Sequence, residues 1–93
     1  MIEKQVKIIA ADGLHMRPSM RIVDEAAKFN SKIVVKNGEQ EADGKSIMQM
    51  TMLAATCGDT LTIKADGEDE QEAVNALQEL ISSNFHDYLE EEK

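Results

Sequence analysis

Apolar and polar residues alternate from Glu3 to Ala10, which puts Val6, Ile8 and Ala10 on one face of a half-buried strand. Asp12-Gly13 breaks that strand. From Met16 to Phe29 the spacing becomes helical. Met16, Met20, Val23 and Ala27 form one stripe, with Ile22, Ala26 and Phe29 beside it. Pro18 suits the first turn of this helix, where its missing N–H has no intrahelical acceptor, yet it disfavours the α region at Arg17. The helix start is therefore expected to be irregular between His15 and Pro18. Asn30-Ser31 ends the helix, and Lys32 to Lys36 reads as a strand with Ile33 and Val35 on one side. Asn37-Gly38 signals a two-residue hairpin of type I′, since both residues tolerate positive φ. Glu39 to Asp43 is the return strand, and its charges suit a sheet edge.

Ser46 to Ala55 reads as a short helix stopped by Gly58, with Ile47, Met50 and Leu53 inward and Met48, Thr51 and Met52 on another side. Ser46-Ile47-Met48-Gln49 fits a capping box, in which the serine hydroxyl and the glutamine side chain satisfy two orphan backbone donors. Thr60 to Asp66 alternates again, with Leu61, Ile63 and Ala65 inward. A last helix runs from about Glu70 to Asn84, with Asp69 and Glu72 in a capping arrangement and acidic residues at its positive end. Val74, Leu77, Leu80 and Ile81 make its core stripe. The order β-α-β-β-α-β-α predicts an α+β domain, a four-stranded antiparallel sheet with helices packed on one face.

A chain of 93 residues is one small domain with a thin core, so chemistry here is expected to be shallow and dependent on partners. The formal net charge of −8 and an aromatic content of two Phe and one Tyr argue against nucleic acid and against an anionic membrane surface. No apolar run reaches membrane-spanning length, and the N-terminus lacks a signal-peptide core. A single cysteine, Cys57, cannot form an internal disulfide, which fits a reducing cytoplasm. Cys57 and His86 lack matching metal ligands nearby in sequence, so both read as structural or surface residues and no metal is expected. The acidic run that closes the chain, from about residue 86, reads as a solvated tail.

His15 is the best nucleophile candidate. A partly neutral imidazole before a helix can accept a phosphoryl group. Backbone N–H groups at the helix start, around Met16, Arg17 and Pro18, would cradle the phosphate, and the Arg17 guanidinium would grip its oxygens. Taken alone, His-x-Arg is a weak motif, and a turn or N-cap histidine beside a surface arginine explains it better. Ser46 has a structural role as a cap, and the same hydroxyl is acceptable to a kinase, because phosphoserine is favoured at a helix N-terminus. Gly44-Lys45-Ser46 is not a phosphate-binding P-loop, since Glu39 stands where that motif needs glycine. Of the six methionines, Met50 fits the core, whereas Met16, Met20, Met48 and Met52 can form an adaptable docking patch.

At these residues the chain resembles the HPr family, the histidine-containing phosphocarriers of the bacterial phosphoenolpyruvate:sugar phosphotransferase system. Gly13-Leu14-His15-x-Arg17-Pro18 is similar to the family's active-site signature, and Lys45-Ser46-Ile47-Met48 to its regulatory-serine signature. Gly67-Glu68-Asp69-Glu70 before an amphipathic helix is also typical, and the likeness runs from the first strand to Ile81. The resemblance implies a sheet order of 1-4-2-3 in an open-faced sandwich. It implies that His15, through Nδ1, accepts a phosphoryl group from phospho-enzyme I and passes it to IIA proteins or domains. The chain would thus be a carrier, not an enzyme, with no cofactor, and a monomer is expected. It also implies phosphorylation of Ser46 by an HPr kinase/phosphorylase, with slowed transfer and recruitment of a transcriptional regulator. Met20, Ile47, Met48, Thr51 and Met52 are the expected docking residues. Met16 and Ser19 stand where short residues are common in the family, making the site rim bulkier or more polar, and Gln49 stands where Gly or Lys is frequent. Family enzyme I surfaces tend to be acidic, so the negative charge of this chain favours a different partner in a regulatory, non-sugar phosphotransfer chain. A ferredoxin-like metal-delivery module shares the element string but wants a Cys-x-x-Cys in the first loop. An acyl carrier matches size and acidity but is helical, against the Asn37-Gly38 hairpin.

Overall fold

A computed structural model describes residues 1–9, 16–53 and 55–83, and of Met16 and Arg17 it describes the backbone only. The elements are β1 (Ile2–Lys7), α1 (Met16–Ala26), β2 (Lys32–Asn37), β3 (Gln40–Asp43), α2 (Ile47–Met52), β4 (Thr60–Asp66) and α3 (Glu70–Ser82). The strands form one antiparallel sheet in the order β1-β4-β2-β3. Period-two alternation turns the apolar residues of every strand to one side. Val6, Ile33, Val35, Ala42, Leu61, Ile63 and Ala65 are all buried there, as is Ile8 just beyond β1. The helices cover that side with Ile22, Val23 and Ala26 from α1, Met50 from α2, and Ala73, Val74, Leu77, Leu80 and Ile81 from α3. α1 packs on both α2 and α3, and α3 lies along β1 and β4.

Strand faces, the sheet order and the α3 stripe match the sequence reading; several local details differ. α1 already includes Met16 and Arg17, so the proline's restriction on Arg17 does not delay the helix. Burial of residues such as Ile22 stabilises by about 1.5–3 kcal/mol each, enough to outweigh a local preference at one terminal residue. The buried face is Ser19, Ile22, Val23 and Ala26, at i, i+3, i+4 and i+7, rather than the stripe through Met20 and Ala27. Ser19 is therefore a core position of α1 and not part of a site rim. Ala27 and Lys28 form a turn, so the helix ends before the predicted Phe29, which instead packs partly buried against the core. Ala10 and Asn84 lie outside the described residues.

The hairpin loop is Gly38-Glu39, because Asn37 pairs with Gln40. Gly38 has φ +65° and takes the first loop position, which leaves Asn37 as the last residue of β2. Moving the loop by one residue shifts each pairing by two, so Ala42 still faces the core. Gly58 does not cap α2. Leu53 is the C-cap, and the Gly58 N–H donates to the Ile8 carbonyl at 2.9 Å in the turn before β4.

Asp69 makes no side-chain cap on α3. Its carboxylate accepts from the Asn30 N–H at 2.8 Å, the Ser31 N–H at 2.9 Å and the Ser31 hydroxyl. One side chain thus ties the start of α3 to the loop between α1 and β2. The Ser31 hydroxyl foremost, and then the Asn30 N–H, hold the Asp69 carboxyl below its ordinary value of 3.8. A depressed carboxyl pKa adds stability that is present above the unfolded value and lost as pH falls through the folded one. Asp69→Asn is therefore expected to be less stable than the parent chain near neutral pH, with the gap closing as pH falls through and below that ordinary value. Urea unfolding of both chains at stepped pH measures this; a gap independent of pH would contradict it.

Candidate functional site

α1 and α2 pack side by side on the sheet, and the candidate residues cluster on these two helices and their N-terminal ends. His15 lies outside the described residues and directly precedes Met16, the first residue of α1. The first turn of α1 contains no acidic side chain, whereas that of α3 contains Glu70 and Glu72. The positive end of the α3 dipole is thus met by its own carboxylates, and that of α1 has none in its first turn. Pro18, in that turn, is half-buried and brings no N–H, so Met16 and Arg17 are the members of the expected cradle that can donate.

Ser46 is half-buried and is the N-cap of α2, its hydroxyl accepting from the Gln49 N–H at 3.3 Å. The other half of the predicted capping box is absent. The Ser46 N–H donates to the Asp43 carbonyl at 3.0 Å, and Gln49 Oε1 instead accepts from the Asp43 N–H at 2.8 Å. The turn from Asp43 to Ser46 satisfies the cap internally, which frees the glutamine to tie α2 to the end of β3. The Asp43-Gly44 pair is a turn signal that points to this arrangement in the sequence. A Cβ on Gly44 would sit 2.6 Å from the Ile33 side chain, so the glycine of Gly44-Lys45-Ser46 serves close packing on β2. The Lys45 ammonium donates to the Phe29 carbonyl at 2.7 Å and pins this turn beyond the end of α1. Nothing in the spacing of Lys45 and Phe29 signals that contact.

Met48 and Met52 on α2 are 73% and 72% exposed, and Met20 on α1 is 42% exposed. Ile47, read from spacing as inward, is 38% exposed; Met50 and Leu53 are buried as expected. A six-residue helix anchored by those two side chains leaves Ile47 at its rim. Thr51 is half-buried, its hydroxyl donating to the Met48 carbonyl at 2.9 Å. Exposed flexible thioethers on adjacent helices make a deformable apolar surface. The acidic excess of the chain is not concentrated here. In α1, Arg17 and Arg21 match Asp24 and Glu25 in number, α2 has no charged residue, and Lys28 and Lys45 flank the pair. Net charge alone therefore gives no reason for this face to reject an acidic partner. Cys57 is free and exposed, and His86 lies outside the described residues. Among the described residues, no helix is long and apolar enough to cross a membrane.

The family model for the PTS HPr component phosphorylation site matches residues 2–83. The chain belongs to the HPr family. Phosphocarrier protein HPr of Haemophilus influenzae is 51% identical over 81 residues, covering 87% of this chain and 95% of its own. The HPr-like protein Crh of Halalkalibacterium halodurans is 42% identical over 77 residues, covering 83% and 92%. Among solved structures, HPr from Thermoanaerobacter tengcongensis superposes with a TM-score of 0.88 at 38% identity, covering 92% of this chain and 97% of that one. The HPr fold is thus the open-faced sandwich described above. HPr proteins are phosphocarriers of the phosphotransferase system, not enzymes.

The two kinds of methionine in this HPr chain separate by stability. Met50→Ala removes a fully buried side chain and is expected to cost about 2–5 kcal/mol. Met48→Ala, at the exposed surface, is expected to stay within about 0.5 kcal/mol of the parent. Chemical denaturation of both variants measures the difference; equal losses would contradict the assignment of faces.

Proposed function

We propose that this chain carries a phosphoryl group on His15, received from phospho-enzyme I and passed to IIA proteins or domains. The chain then acts as a single HPr-like domain over residues 1–93, whose acidic run from about 86 lies outside the described residues. The observation that supports this most is the start of α1 at Met16, the residue directly after the histidine, with no acidic side chain in the first turn. An imidazole nitrogen attacks phosphorus while the bond to the donor breaks, and the group leaves by the same displacement onto the next acceptor. A dianionic phosphoryl group on His15 would meet the orphan N–H groups of Met16 and Arg17, with the dipole in its favour. The Arg17 guanidinium adds a planar cation able to bind two phosphate oxygens. Met20, Ile47, Met48, Thr51 and Met52 dock the partner. The near balance of charge on α1, and its absence from α2, suits an acidic enzyme I surface flanked by Lys28 and Lys45.

Ser46 is the regulatory site of this reading. A phosphoryl group there, added by an HPr kinase/phosphorylase, places negative charge at the edge of the docking surface, slows transfer by repulsion from acidic partners and offers a transcriptional regulator a mark to bind. Similarity to the phosphoryl donor subunit DhaM of the PEP-dependent dihydroxyacetone kinase of Providencia stuartii, 37% identical over 77 residues, supports a second reading, in which the chain serves a phosphotransfer chain other than sugar uptake.

Incubation with enzyme I and labelled phosphoenolpyruvate is expected to give acid-labile, base-stable label on the parent chain and none on His15→Ala. Label that persists in the variant would overturn the assignment. Arg17→Glu is expected to fold normally and to transfer about 10²-fold more slowly or worse; unchanged transfer would remove Arg17 from the mechanism. Ser46→Ala is expected to abolish acid-stable label from a cognate kinase and ATP, and label retained there would place the modification elsewhere.

A further inference from the structure

The sheet is open, so β1 and β3 each present an edge of backbone groups, a ready template for another strand. The β3 edge is closed from within. Gly44, in register with β3, donates to the Ile33 carbonyl, so Ala42 and Gln40 also turn their backbone groups to β2, while Asp43 and Glu41 turn theirs outward. The Asp43 N–H is held by Gln49 and the Asp43 carbonyl by the Ser46 N–H, which leaves Glu41 as the outward residue of a four-residue strand.

β1 is longer, and it is held differently. The Ile8 N–H donates to the Asp59 carbonyl on the β4 side, so Val6 and Lys4 also turn their backbone groups to β4. Glu3, Gln5 and Lys7 therefore turn theirs to the open edge. At the middle of that edge, the Gln78 side chain on α3 donates to the Gln5 carbonyl at 3.1 Å. A groove lined by Gln5, Val6, Asn75, Gln78, Glu79 and Ser82 runs beside it.

We propose that the β1 edge recognises a second copy of this chain, pairing β1 with β1 antiparallel about Gln5, and that Gln78 gates this pairing by occupying the Gln5 carbonyl. The edge is self-complementary about that residue. With Gln5 opposite Gln5, Glu3 of each copy lies opposite Lys7 of the other, and all three side chains are exposed on the open face of the sheet. Opposite charges at directly paired positions favour this register over neighbouring ones. The central pair requires each Gln5 carbonyl to accept the other copy's Gln5 N–H, and this is the acceptor that Gln78 occupies. With the gate closed, the monomer is favoured; once Gln78 releases the carbonyl, the two sheets can join into one.

Sedimentation of the full-length chain over a concentration series tests this. Gln78→Ala is expected to lower the dimer dissociation constant about tenfold or more relative to the parent, because the competing hydrogen bond is lost in both copies. In the Gln78→Ala background, Lys7→Glu is expected to abolish the dimer by setting like charges opposite each other. Adding Glu3→Lys, which restores the complementary pairs with reversed sign, is expected to bring it back. Circular dichroism confirms that each variant is folded. No dimer of Gln78→Ala at about 1 mM would overturn the proposal. So would a dimer indifferent to Lys7→Glu, because an exchange that returns each β1 to its ordinary place beside β4 does not bring Glu3 and Lys7 together.

Discussion

The structure depends on a sheet that is apolar on one side only. Every strand sends its inward residues, from Val6 on β1 to Ala42 on β3, toward the same layer. That side must be covered, and the three helices cover it with narrow stripes of their own. The requirement fixes more than stability. It sets α1 beside α2 and between α2 and α3, and so decides which parts of those helices face outward. Ser19 and Ile22 go in, and Met20 comes out; Met50 goes in, and Met48 and Met52 come out. The surface proposed for docking is thus the remainder left by core packing on two adjacent helices.

Short polar ties hold that remainder in place. Asp69 holds the loop that leads from α1 into β2, Lys45 reaches back to Phe29, and Gln49 fastens α2 to the end of β3. Each joins segments far apart in sequence or on different elements. α2 has only six residues, too few to be stable as an isolated helix, so its position rests on two buried side chains and these contacts. The same economy appears at the sheet margins, where glutamines from the flanking helices occupy backbone groups that would otherwise face another strand.

Much of this is legible in the sequence, for identifiable reasons. β4 and α3 follow a single strong period, and there the inward residues match those predicted: Leu61, Ile63 and Ala65 on the strand, Val74, Leu77, Leu80 and Ile81 on the helix. α1 is harder because its apolar face is broad and a small buried serine adds nothing to a hydrophobic pattern, so the pattern points one step around the helix from the face that is buried. The Asn37-Gly38 signal lies one residue before the observed loop because both residues tolerate a turn conformation, and only the pairing of β3 with β2 sets the register. Asp69 and Gln49 carry local capping signals but make their bonds elsewhere, because a longer-range donor offered a better partner. For the site, the motif around His15 and the cap at Ser46 are visible in the chain. The charge balance of α1 and of α2 can also be counted in the chain; what needs the structure is that these two helices lie side by side.

In the proposed function, the first turn of α1 receives a phosphoryl group carried on His15. Nitrogen-15 and phosphorus-31 NMR of the chain, before and after phosphorylation by enzyme I and phosphoenolpyruvate, tests this most directly. A phosphohistidine signal is expected together with the largest amide proton shifts at Met16 and Arg17, and no comparable change at the α3 N-terminus, where Glu70 and Glu72 already stand. A phosphorylated chain whose Met16 and Arg17 amides stay unmoved would contradict it.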